Sequence, residues 1–142
     1  MADRTFQATI PAAAVGATTE TILGSITADW APFGVAVVAV RYSPVTVVTG
    51  ANTNTRKLEV WNRGPGGAGT GVMASKQFDL NVNAPALSDT PITVASAGVG
   101  TPQLPAAVPG DTLTARSIPV GTGIADPGGL VEVDVNRYAA PS

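Results

Sequence analysis

Glycine and proline interrupt this chain so often that no helix of ordinary length has room to form. Sixteen glycines and twelve prolines are spread along 142 residues, and apolar residues at helical spacing are nearly absent between them. Ala12 to Ala17 has space for one turn at most, bounded by Pro11 and Gly16. Short runs rich in valine, threonine and isoleucine recur instead, with turn residues between them at roughly 8–12-residue spacing. That pattern predicts an all-β chain of about eight short antiparallel strands in one β-sandwich or jelly-roll-like domain.

The expected strands are Phe6–Ile10, Thr21–Ala28, Gly34–Tyr42, Arg56–Asn62, Val72–Leu80, Thr90–Ala97, Thr112–Ile118 and a last one through Val131–Asn136. The last is the clearest. Val131, Val133 and Val135 alternate with Glu132, Asp134 and Asn136, so one face is apolar and the other polar. Leu58 and Val60 likewise oppose Lys57, Glu59 and Trp61. Gly34 to Val40 is apolar at both parities, which predicts cover on both faces. In Val72–Leu80, the set Val72, Ala74, Phe78 and Leu80 is in phase, and Lys76 breaks it, as at an edge or a bulge. Gly98 to Pro109 reads as a long connection. The domain boundaries expected are a flexible N-terminal arm at 1–19, the sandwich at 20–138 and a tail at 139–142.

The residue inventory removes most chemistry. Histidine and cysteine are both absent, and with them the usual base near neutral pH, the thiolate nucleophile and the common zinc ligands. Glu132 and Asp134 project together but read as a solvated strand face. With Asp111 and Asp126 distant in sequence, the oxygen ligands for a cation are sparse. Ser75 and Lys76 point to opposite faces of a strand, which disfavours a catalytic pair. Gly64–Gly71 lacks the lysine and the helix of a phosphate cradle. Asp126-Pro-Gly-Gly129 is a turn, with Asp126 placed to cap it. No enzyme, cofactor or metal is expected.

Partners are limited in the same way. The net charge is -2 with 13% charged residues, and the cations are scattered, so no basic stripe marks a nucleic-acid site. No apolar run approaches the ~18–20 residues of a membrane span, and the first residues lack a secretory layout. What remains is a low-charge surface suited to packing on other protein, with Trp61 and Trp30 as candidate anchors.

Four blocks in order, Tyr42-Ser-Pro44, Val48 to Thr55, Val72-Met-Ala-Ser75 and Gly121 to Val133, resemble small head-decoration (capsid cement) proteins of tailed bacteriophages. The likeness spans about residues 35–137 and consists of turns and strands, not of a catalytic signature. It implies a subunit, often trimeric, on the outside of an icosahedral shell. There it would bridge neighbouring major capsid protein subunits, after synthesis in the host cytoplasm. It further implies contact through an N-terminal arm, here holding Phe6, and through loops, here Thr49–Thr55 with Thr49, Asn52 and Asn54. Two other readings stay open: another virion part such as a tail, fibre or spike protein, and a carbohydrate-binding sandwich using Trp61 beside Glu59 and Asn62.

Overall fold

The computed structural model describes residues 3–95 and 105–139. Among them are nine strands and no helix: β1 Arg4–Ile10, β2 Thr19–Ser25, β3 Val35–Pro44, β4 Thr55–Asn62, β5 Gly71–Gln77, β6 Thr90–Val94, β7 Ala106–Ala107, β8 Thr112–Val120 and β9 Gly129–Arg137. Eight of these overlie the strands expected from the sequence. The ninth, β7, pairs its two alanines with Val35 and Ala36, and is too short to leave a periodic signal. Part of the expected 98–109 connection, through residue 104, lies outside the described residues, as do residues 1 and 2 and the tail beyond Ala139.

The pairing is nested. β1 pairs with β9, β2 with β8, β3 with β6 and β4 with β5, all antiparallel. The chain is therefore one long ribbon doubled at the β4–β5 hairpin and wound so that its pairs fall into two facing sheets, β1-β9-β3-β6 and β2-β8-β4-β5. This is a jelly roll. β6 belongs to both sheets: Thr90–Ile92 pair with β3, and Thr93 and Val94 with β5. At the opposite margin β1 lies beside β2, and the Phe6 ring occupies the place where a Cβ on Gly24 would stand, 2.6 Å from it. A hydrogen-bonded seam closes one side, and side-chain packing closes the other.

Within the expected 1–19 arm, Arg4–Ile10 form strand β1, with all seven residues in register with β9, and 11–18 form the loop that leads to β2. Phe6, proposed from the sequence as a contact residue, is 5% exposed and belongs to the core with Ile10. The cause is the alternation Phe6-Ala8-Ile10, which gives β1 an apolar face that finds cover only against the facing sheet.

Each strand supplies alternate side chains to one core. Val131, Val133 and Val135 of β9, Leu58 and Val60 of β4, and Leu113 and Ala115 of β8 are all buried, as their periodicity requires. Each valine or leucine so buried contributes about 1.5–3 kcal/mol.

Two strands depart from the sequence reading, and both do so through bulges. In β3 the partner of Val37 is Val135 and that of Ala39 is Asp134, so Val38 is looped out of the ladder. Val35 and Val37 face the core before the bulge; Val40 and Tyr42 face it afterwards. The run is apolar at both parities because its parity switches, and β3 sits between β9 and β6 instead of awaiting a partner. In β5 the register passes from Val60↔Ala74 to Trp61↔Val72, skipping Met73. Met73 and Ala74 are buried together with Phe78, while Val72 and Leu80, expected inside, are exposed.

Candidate interaction surface

Loops 11–18, 45–54, 78–89 and 121–128 all leave the sandwich at the end where β1, β3, β5 and β8 finish, here termed the upper end. Below it lies a buried polar cluster. Arg56 is 1% exposed although it points inward with Leu58 and Val60. Its Nε donates to the Ile124 carbonyl at 2.5 Å, Nη1 to the Ala17 carbonyl at 2.9 Å, and Nη2 to the Ala14 carbonyl at 3.0 Å. Nη1 also donates to Ser117 Oγ at 3.1 Å, and that hydroxyl donates to Asp126 Oδ2 at 2.5 Å. Asp126 Oδ1 accepts from the Tyr42 hydroxyl at 2.5 Å and from Gly128 N at 2.9 Å. Burial, and then the Asp126 carboxylate, push the Tyr42 phenol well above its ordinary value, while burial lowers Arg56.

In this cluster every named charge is hydrogen-bonded, which is the condition for keeping it out of water. Its work is mechanical. Arg56 ties loop 11–18 to loop 121–128, and the paired bonds between Ala13 and Asp126, at 2.8 Å each way, finish the seam. Asp126 caps its own turn as the sequence suggested, but its bonds to Tyr42 and Ser117 were not foreseen. The parity of Arg56 with Leu58 and Val60 was the one available sign of its burial.

Loops 45–54 and 78–89 are joined in turn. Val48 and Ala84 exchange backbone bonds at 2.9 Å, Gly50 N donates to Asn83 Oδ1 at 2.8 Å, and Leu87 N donates to the Pro44 carbonyl at 2.8 Å. Gly50 is required there, since a Cβ on it would lie 1.7 Å from the Asp79 carbonyl oxygen. Thr49 and Asn52 are exposed on this end. Asn54 is exposed as well, yet its Oδ1 accepts from Thr122 N at 3.1 Å and fastens loop 45–54 to loop 121–128.

The two tryptophans lie elsewhere. Trp61 stands half-buried on the outer face of β4, with Nε1 donating to Glu59 Oε1 at 2.9 Å. The guanidinium carbons of Arg116 and Arg63 sit 4.2 and 4.8 Å from its ring centroid. Glu20 of β2 orders both arginines: it accepts from Arg63 through both oxygens at 2.8 Å and lies 3.5 Å from Arg116 Nε. Led by the Arg63 bond, these contacts hold the Glu20 carboxyl down at about 2. A cleft of about 470 Å³ opens beside them, between β2 and the glycine-rich loop. Trp61 is therefore covered in large part by its own subunit. Trp30, at the lower end, meets Phe6 edge-on with ring centroids 6.3 Å apart, and Arg4 lies over both rings. The sequence candidates thus separate into an upper set, Thr49, Asn52 and Asn54, and a lower set, Trp30 with Phe6; Trp61 stands apart on a sheet face.

Several of the other candidate reactive groups are paired with one another. Arg41 of β3 donates to both oxygens of Asp134, at 2.7 and 3.1 Å, and lies 3.8 Å from Glu132. Ser75 donates to Glu59 at 2.7 Å. The Gly64–Gly71 loop leads into strand β5, not into a helix. Among the described residues no three metal-ligating side chains come together, and no helix is long and apolar enough to cross a membrane. Comparison with protein-family models, with curated proteins and with solved structures finds no match to this chain.

Proposed function

We propose that this protein is a structural virion component of the decoration type, which binds the outer surface of a phage capsid and stabilises it by bridging major capsid protein subunits. One observation carries the reading. Large exposed apolar side chains gather at the two ends of the jelly roll: Val15, Val45, Val47, Leu80 and Leu87 at the upper end, Phe33, Val108 and Tyr138 at the lower. On the strands themselves only Ile22 and Val72 are comparably exposed, among the described residues. A molecule with two apolar ends, whose sheet faces carry ion pairs such as Arg41–Asp134 and Arg63–Glu20, is suited to joining neighbours. The resemblance in turns and strands points the same way, and a trimer is the assembly it favours.

The physical effect is linkage. A protein that binds only the assembled shell shifts disassembly by about 2.7 kcal/mol per site at a hundredfold excess over Kd. Many sites per particle multiply this, and two contacts per subunit add avidity. The test is direct: purified protein is mixed with shells that lack it and sedimented. Co-sedimentation at a saturable ratio supports the proposal; protein left in the supernatant counts against it and leaves a tail, fibre or spike role. The carbohydrate reading loses ground on geometry, because a sugar needs an open aromatic face and the Trp61 ring is stacked by arginines.

A further inference from the structure

We infer that the upper end, built from loops 45–54 and 78–89, is the surface that meets the shell, with Leu87 as its anchor; this rests on the decoration reading above. Leu87 has φ +52°, in the left-handed region, and its side chain is 81% exposed. That conformation costs a bulky residue about 1–2 kcal/mol, which glycine or asparagine largely avoids. The backbone of Leu87 is held in place by its bond to the Pro44 carbonyl, and its side chain gains almost nothing within the subunit. A strained backbone that displays an unburied leucine is explained by a contact outside the chain. Val45 follows Pro44 directly, and Val45 and Val47 are more than half exposed on the same loop. The seams to Ala84 and Gly128 hold that loop still, so little entropy remains to be lost on docking.

Charge selects the occupant. The four upper loops contain no lysine or arginine, and their exposed charges are Asp79 and Asp89. Two copies meeting through this end would bring those carboxylates together. A shell protein surface with an apolar centre and lysine or arginine at its rim complements it instead.

The experiment uses shells of the virus that encodes this chain, purified without it. Wild type, Leu87→Asn, Val47→Asn and Ile22→Thr are compared by sedimentation with and without shells, and by urea unfolding. Ile22 is an exposed aliphatic on β2, away from this end. The expected result is an unchanged or higher urea midpoint for Leu87→Asn, at least tenfold weaker shell binding for Leu87→Asn and Val47→Asn, and wild-type binding for Ile22→Thr. Four results overturn the inference. If wild type binds and both asparagine variants bind equally well, the upper end is not the contact face, although decoration stands. A lower midpoint in Leu87→Asn means the leucine serves the subunit itself. If wild type sediments without shells and the asparagine variants do not, the occupant is a second copy. Failure of wild type to bind shells removes the decoration reading and this inference with it.

Discussion

The Tyr42 hydroxyl donates to Asp126 Oδ1 at 2.5 Å, joining the middle of one sheet to the loop that precedes its neighbouring strand. The two residues lie 84 positions apart in the chain. Between them they connect the fully buried face of β3 to the loops that form the upper end, so the shape of that end depends on a bond inside the core.

Removing the phenol tests that dependence. Tyr42→Phe keeps the ring and leaves a buried carboxylate short of one donor, which costs about 1–3 kcal/mol. The expected result is a lower urea midpoint with an unchanged slope. An unaltered midpoint would mean that the bond contributes nothing net.

Arg56→Met should cost more, about 3–5 kcal/mol, because it removes a buried charge from its partners. It leaves the carbonyls of Ala14, Ala17 and Ile124 without the donors described above. Arg56→Lys is expected to recover little, since one ammonium cannot reach three separated carbonyls as the guanidinium fork does. Hydrogen exchange in loops 11–18 and 121–128 should rise in both variants before global unfolding. Protection unchanged from wild type would refute the clamp.

Two glycines should respond in opposite senses. Gly50→Ala places a methyl against the Asp79 carbonyl, at an expected cost of about 1–3 kcal/mol. Gly66 has nothing within 4 Å of where a Cβ would stand and no positive φ, so Gly66→Ala should stabilise by about 0.4–1 kcal/mol through the unfolded chain. Parallel thermal melts of the pair give the comparison; equal shifts would contradict the packing.

Acid should dissolve the Glu20 network in a defined window. The folded-state pKa of Glu20 lies at about 2, below its ordinary 4.5, so its contribution is fully present above pH 4.5 and is lost as pH falls towards 2. The difference in urea midpoint between wild type and Glu20→Gln should hold from pH 7 to about 5, narrow below 4.5 and close near 2. The carboxylate is well solvated, so the effect should stay within about 1 kcal/mol and weaken in salt. A difference that is constant down to pH 2 would assign it to packing instead of charge.

Much of this fold was legible before any coordinate. The spacing of Gly and Pro excluded helices, and the alternation in β4 and β9 placed Leu58, Val60, Val131, Val133 and Val135 inside. Asp126-Pro127-Gly128 announced its turn, because the chemistry of a turn is local. The resemblance in turns and strands pointed to the Thr49–Thr55 loop, and its Thr49, Asn52 and Asn54 are exposed.

What alternation could not supply was the point at which it changes phase. The bulges at Val38 and Met73 arise where two ladders must stay in register with a third strand, and no property of either residue announces them. The same holds for Arg56: its burial is tolerable only because carbonyls from two distant loops converge on it. For Trp61, cover comes from Arg63 in its own hairpin and from Arg116 on β8, ordered by Glu20 on β2. Leu87 is the plainest case. As a letter between alanine and serine it carries no signal, and only the folded loops set its backbone in the left-handed region with its side chain outward. Short-range pattern determined which segments are strands and turns, since period and turn geometry are properties of neighbours in sequence. Tertiary contact alone decided which polar groups are buried and which apolar ones are displayed, since burial is a relation between segments far apart in the chain.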